Sequence, residues 1–251
     1  TGAVEICFLG QNVNGYKYTD ENGTVFRLSD LIRETAKIPE IMRIRFTSSY
    51  PTEMTDDLID MFATEPKLLP FLNMPIQSGS QSVLTRMNRP YSLELYTDII
   101  RKLRIARPDI QISSDFIVGF PGETDDDFDQ TMKIAQQIKY INSYSFKYSP
   151  RPHTAAALMP DQIPENIKAE RLAKLDALLN EIQREFNIGC IGKTLQCLLE
   201  GPDKTGRHLV YRTPFMQQCI VAFRENAPEL TDLEITDANK ASLRGKFLTD
   251  N

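Results

Sequence analysis

The chain has 251 residues, of which 41% are hydrophobic and 25% charged, with a net charge of −5. That is room for one large domain plus a small one, without the overall basic excess of a protein that coats nucleic acid. There is no apolar run long enough to span a membrane, no basic-then-apolar signal pattern, and no CxxC pair among Cys7, Cys190, Cys197 and Cys219, so no membrane span and no zinc or cluster motif are expected within these residues, and free thiols in a reducing cytoplasm are expected.

Val4 to Leu9 reads as a strand with no lead-in and no initiator Met, so upstream sequence is expected to be missing. It ends in Gly10-Gln11-Asn12. Phe26 to Ile38 has helical spacing at Leu28, Leu31, Ile32 and Thr35, and Pro39 stops it. Met42 to Phe46 is a second strand, closing in Thr47-Ser48-Ser49, and Thr55 caps a helix carrying Leu58, Ile59 and Phe62. Leu68 to Ile76 is a third strand, closing in Gln77-Ser78-Gly79-Ser80. Helices follow over Ser82 to Met87 and, capped by Ser92, over Leu93 to Ala106. Ile110 to Val118 is the fourth strand. Gly119 and Gly122 bracket a tight turn through Pro121, Thr124 is the expected N-cap, and Asp125, Asp126 and Asp127 fall in the positively polarised first turn of a helix to Ile138. Ile141 to Tyr148 is the fifth strand.

Strand and helix alternate five times, with polar turns after most strands. This predicts an α/β fold with a parallel sheet, either barrel or doubly wound, whose ligand site lies at the C-terminal strand ends. Arg151 to Pro164 is a Pro-rich loop, and Glu165 to Phe186 is one long amphipathic helix. From about Ile188 the pattern changes to short strands: Thr194 to Leu199, Leu209 to Tyr211, Cys219 to Phe223, Leu233 to Ile235 and Leu243 to Phe247. These predict a small all-β barrel, and a domain division into 1–187 and 188–251.

Six motifs stand in one order: G-Q-N-V-N-G-Y (Gly10 to Tyr16), R-I-R-F-T-S (Arg43 to Ser48), P-I-Q-S-G-S (Pro75 to Ser80), R-M-N-R (Arg86 to Arg89), S-D-F-I-V-G-F-P-G-E-T (Ser114 to Thr124) and Y-S-P-R-P-x-T-A-A (Tyr148 to Ala156). Together they resemble the radical-SAM methylthiotransferases over nearly the whole chain, in the branch that modifies a tRNA adenosine. The resemblance implies an incomplete radical-SAM (β/α)6 TIM-like barrel entered at its second strand, followed by a TRAM-like RNA-binding β-barrel. It implies a tRNA-processing transferase that, as part of the full enzyme, methylthiolates carbon 2 of isopentenyladenosine beside the tRNA anticodon. The cofactors implied are S-adenosyl-L-methionine (SAM) and two [4Fe–4S] clusters. The cysteines that hold those clusters in the family have no counterpart here, so no metal ligand is expected in this chain, the chain alone is expected to be inactive, and a cluster-bearing N-terminal region, in the same or a separate chain, is expected as a partner alongside tRNA. Asn73 stands where the family usually has His, and Pro90 and His153 where Gly is common.

By the same resemblance, Gln11, Asn12, Ser48, Gln77, Ser78, Asp115, Val118 and Gly119 would line the SAM site, where amides and hydroxyls can pair with ribose and adenine. Arg86, Arg89 and Arg151, and in the tail Lys193, Arg212, Phe215 and Arg244, would meet RNA. Phe215 either stacks a base or fills the barrel, and Glu123 is either a ligand contact or a first-turn acid that needs none. Two other functions stay open at this point: a truncated or degenerate RNA-binding protein without catalysis, and a sister methylthiotransferase acting on another adenosine or on a protein. An open barrel is also expected to be poorly stable alone or to associate through its exposed strand edges.

Overall fold

The computed structural model describes residues 2–248, which divide into two compact units between Leu178 and Leu179.

The first unit is a parallel α/β domain. β1 (Glu5–Phe8) leads through a mouth loop into a hairpin of β2 (Lys17–Thr19) and β3 (Val25–Arg27), then α1 (Leu28–Ala36), β4 (Arg43–Phe46), α2 (Asp56–Thr64) and β5 (Phe71–Asn73). Next come α3 (Gln81–Arg86), α4 (Leu93–Ala106), β6 (Gln111–Ser113), β7 (Asp115–Val118), α5 (Asp125–Ile138), β8 (Tyr144–Lys147) and α6 (Glu165–Ile188). The pairs β1–β4, β5–β6 and β7–β8 are parallel. Single bridges, Ile44 to Leu68 and Gln77 to Phe116, join them into one run.

The structure revises three sequence-based expectations. The helix expected from Phe26 starts at Leu28. Val25–Arg27 pairs with Lys17–Thr19 because the Asp20 carboxylate accepts the Asn22 and Thr24 amides at 2.9 and 2.8 Å and folds the turn. The expected strand Leu68 to Ile76 is ladder-paired only over Phe71–Asn73, since Pro70 and Pro75 bring no N–H to a ladder. The expected strand Ile110 to Val118 breaks at Ser114, whose hydroxyl accepts the Ile76 amide at 2.9 Å in place of a carbonyl.

Alternation decides the faces. Ile44, Phe46, Leu72, Met74, Ile76, Phe116 and Val118 are all buried. Tyr96 and Tyr91 reach in from the helical layer, donating to the Met74 and Ile76 carbonyls at 2.7 and 3.0 Å. The alternate positions form the opposite, concave face.

The second unit holds the end of α6 and a closed barrel of β9 (Thr194–Pro202), β10 (His208–Arg212), β11 (Gln218–Ala222), β12 (Leu230–Ala238) and β13 (Ser242–Phe247), in the order β10-β11-β13-β12-β9. β9 and β12 run several residues past the expected bounds, because each completes ladders to two neighbours. Cys190, Cys197 and Cys219 are buried in its core and form no disulfide.

Candidate active site

The concave face is polar where the opposite face is apolar. Glu5 sits between Arg43 at 3.2 Å and Arg45 at 2.9 Å near the starts of β1 and β4. Toward the other end the face carries Asn73, Ser113, Asp115 and Ile117, and Gln77, bridged to Phe116, lies at the neighbouring strand end. Gln77 and Asp115 are held on adjacent strands, with the Gln77 amide donating to the Asp115 carbonyl at 2.9 Å. Asp115 is half-buried and burial raises its carboxyl above the ordinary aspartate value.

Four loops shape the mouth, and each is tied by specific bonds. Asn14 is buried and pairs with the Tyr50 backbone twice, donating to its carbonyl at 2.8 Å and accepting its amide at 2.7 Å. This fastens the loop after β1 to the loop after β4. In the second loop Ser48 has φ 60°, and the neighbouring Ser49 hydroxyl is buried without a hydrogen-bond partner among the described residues. The third loop, Gln77 to Ser80, begins at φ 70° and packs on α5. A Cβ on Gly79 would lie 2.5 Å from the Thr131 Cα. The Ser80 and Ser82 hydroxyls both donate to Asp127, which also accepts the Thr124 amide at 2.9 Å.

The fourth loop is the G-F-P-G-E-T turn. Gly119 and Gly122 have φ of 71° and 76°, a region that favours glycine. The Glu123 carboxylate accepts the Gly119 amide at 2.8 Å and the Arg171 guanidinium at 2.8 Å. Burial pushes the Glu123 carboxyl up, against those two partners. Glu123 therefore closes the turn onto α6.

The expected SAM residues separate accordingly. Gln11 and Asn12 are exposed at the end of β1, and Ser48, Gln77 and Asp115 are half-buried. Ser78 is only 1% exposed, and its hydroxyl lies 3.3 Å from that of Thr131 on α5. Val118 turns its side chain into the core and its carbonyl accepts the Tyr148 amide at 2.8 Å. The Gly119 amide, expected to face a ligand, is taken by Glu123. Ser78, Val118 and Gly119 thus build the wall rather than offer free polar groups.

The expected RNA residues divide too. Arg86 bonds the Pro121 carbonyl at 3.3 Å and Asp161 at 3.4 Å, over Gly122, and so braces the turn. Arg212 is paired with Glu200 at 2.9 Å, and Phe215 packs edge-on against Phe186 with centroids 5.5 Å apart, which favours the barrel-filling reading. Arg89 is half-buried, while Arg151, Lys193 and Arg244 are exposed. Asn14, Ser49, Ser80, Ser82, Asp127 and Arg171 were not singled out from sequence. Asn14 lay inside a recognised motif and Asp127 inside the acidic first turn, but their partners are distant in the chain.

The Radical SAM superfamily profile matches residues 2–135. The chain belongs to the Radical SAM superfamily. This radical SAM chain is 47% identical over 250 residues to the tRNA-2-methylthio-N(6)-dimethylallyladenosine synthase of Rickettsia conorii, covering 99% of itself and 56% of that protein. It matches the Rickettsia canadensis protein of the same name at 47% over 250 residues, with the same coverage. The chain thus spans a little over half the length of these curated relatives. Among solved structures, the radical SAM enzyme coproporphyrinogen III oxidase from Escherichia coli aligns with a TM-score of 0.49 at 23% identity, over 63% of this chain and 37% of that one.

The superfamily implies SAM and an iron–sulfur cluster. Among the described residues no group of three or more His, Cys, Asp or Glu could hold a metal ion. Cys7 lies in β1, far along the chain from the three cysteines of the small barrel. The residues present do not fit a cluster. They do fit SAM: the orphaned Ser49 hydroxyl and the half-buried Asp115 carboxyl lie at a polar strand-end mouth. Among the described residues, no helix is long and apolar enough to cross a membrane.

Proposed function

We propose that this chain is the SAM-binding and RNA-binding part of a cytoplasmic tRNA methylthiotransferase that acts on carbon 2 of an N6-dimethylallyladenosine beside the anticodon. The observation that carries this reading is the 47% identity running along 99% of the chain. On this reading the first unit is an incomplete radical-SAM (β/α)6 barrel and the second a TRAM-like barrel. Gln11, Asn12, Ser48, Gln77 and Asp115 hold SAM, with Ser49 added from its buried free hydroxyl. When bound, SAM supplies both the methyl group and the radical-generating chemistry. Asp115 on the open face and Gln77 at the adjacent strand end orient it, and the Asn14 clamp and the Glu123–Arg171 pair keep the mouth in shape. The cluster ligands belong to a region outside these residues. Of the expected RNA residues, Arg89, Arg151, Lys193 and Arg244 are in no ion pair among the described residues and meet tRNA phosphates.

Mass analysis of tRNA nucleosides after deletion of the gene tests the proposal. Loss of the methylthio group from N6-dimethylallyladenosine, with the prenyl group retained, is expected. An unchanged nucleoside profile sinks it, and loss of methylthio from a different adenosine, or from a protein, favours the sister enzymes.

A further inference from the structure

The Y-S-P-R-P-H-T-A-A motif does more than carry Arg151. It walls a cavity of about 530 Å³ whose lining includes Ile117, Phe146, Tyr148, Arg151, Thr154 and Ala156. The volume is that of a small-molecule site. The cavity opens where β7 and β8 end, and register places it: Asp115 is opposite Tyr144, and Ile117 opposite Phe146. Ile117 is thus two residues beyond Asp115 on the same face, about 6–7 Å along the strand, so the cavity adjoins the polar face described above.

Its chemistry differs from that face. Ile117, Phe146, the Tyr148 ring and Ala156 are apolar. Phe146 and Tyr144 are 54% and 64% exposed, large apolar surface of the kind that marks a binding site. The wall is preformed. Phe120 meets the Tyr148 ring edge-on at 5.1 Å, the Tyr148 amide donates to the Val118 carbonyl at 2.8 Å, and Lys168 holds the Tyr148 carbonyl at 3.2 Å. Thr154 donates to the Arg151 carbonyl at 2.8 Å, fixing the loop that bears the exposed guanidinium. The Tyr148 phenol oxygen is buried without a partner among the described residues, and Lys147, Ser149, Arg151 and Thr154 give the rest of the lining its polar groups.

We propose that this cavity receives the branched apolar N6 substituent of the target adenosine, with Arg151 at its rim against the nucleotide's phosphate. The proposal rests on the reading of a prenylated adenosine as substrate. It assigns selection for the prenyl group to Ile117, Phe146, Tyr148 and Ala156, apart from the residues assigned to SAM.

The test is a titration of this chain with adenosine 5′-monophosphate and with its N6-dimethylallyl derivative, read by calorimetry. Burial of a five-carbon apolar group predicts at least about tenfold tighter binding of the prenylated nucleotide. Phe146→Asp, at an exposed position, and Ala156→Phe, which fills the cavity, should each bring the two affinities together. Equal affinities in the unaltered chain overturn the proposal, as does a preference that survives both substitutions. Competitive displacement of the prenylated nucleotide by SAM also overturns it, by giving the cavity to the cofactor. The deletion experiment separates the two readings. Loss of the methylthio group in cells with no prenyl preference here removes the cavity assignment alone. A clear preference here with an unchanged tRNA profile removes the assigned reaction and leaves the binding site standing.

Discussion

At Asp127 burial and hydrogen bonding act in opposite directions. Burial raises the carboxyl, but donors from Ser80, Thr124 and Ser82 outweigh it and hold the group at about 2. A carboxyl depressed in the folded state contributes stability that is fully present above its unfolded pKa and is lost as pH falls through the folded one. Asp127 therefore stabilises the first unit above about pH 4, and that contribution disappears as the pH approaches 2. The size is about 2 kcal/mol for a shift of this magnitude. Asp127→Asn should weaken the fold at neutral pH and flatten the acid limb between about pH 4 and pH 2 by about that amount, as read from urea midpoints across the range. Asp57, Asp203 and Glu165 are also depressed, so the difference between variant and parent is the quantity to compare. Parallel acid limbs would show that the serine and threonine donors do not depress Asp127.

The same network explains why an element as short as Q-S-G-S matters. Gly79 lies against α5, its amide donating to the Thr131 hydroxyl at 2.9 Å. An added Cβ would meet the Thr131 Cα at 2.5 Å and the Gln130 carbonyl oxygen at 2.7 Å. Both are backbone atoms of a packed helix and cannot swing aside. Gly79→Ala should therefore cost roughly 1–3 kcal/mol in denaturant unfolding. Gly10→Ala is the contrast, since its Cβ would meet only the Val13 Cγ2 at 3.3 Å, and it should be nearly neutral. Equal losses in both would remove the steric argument. The turn at Gly119 to Thr124 was legible before any coordinates, because positive-φ glycines, an N-cap threonine and a first-turn acid are local signals. Asp115, by contrast, was placed at the site only by the resemblance, because the run Phe116, Ile117, Val118 reads as a strand buried on both faces. The Asn14 clamp was not legible, because its partner Tyr50 lies 36 residues away and no local pattern encodes that choice. The hairpin of β2 and β3 was hidden because Leu28, Leu31 and Ile32 announce a helix strongly and three-residue strands announce little. The surroundings of Ser78 were hidden for a related reason: the motif marks a strand end but not the face a hydroxyl takes, and here it lies beside that of Thr131.

Among the described residues, the barrel of the second unit leaves no strand edge open while the parallel run of the first leaves two. The small barrel closes on itself, each strand paired on both sides, which removes the template for adding a foreign strand. In the first unit, among the described residues, β1 is laddered only to β4 and β8 only to β7. Each is therefore an edge strand, and β8 adds the exposed Tyr144 and Phe146 side chains. Exposed apolar edge strands recruit other chains, so this chain should self-associate. Sedimentation velocity over about a hundredfold concentration range should show the weight-average coefficient rising. Tyr144→Lys, which puts a charge on β8, should reverse that rise without altering the small barrel. A single monomeric boundary at every concentration would mean that the two edges are shielded in solution. Association unchanged by Tyr144→Lys would place the contact at β1, where charge introduced at the exposed Leu9 would then have to abolish it.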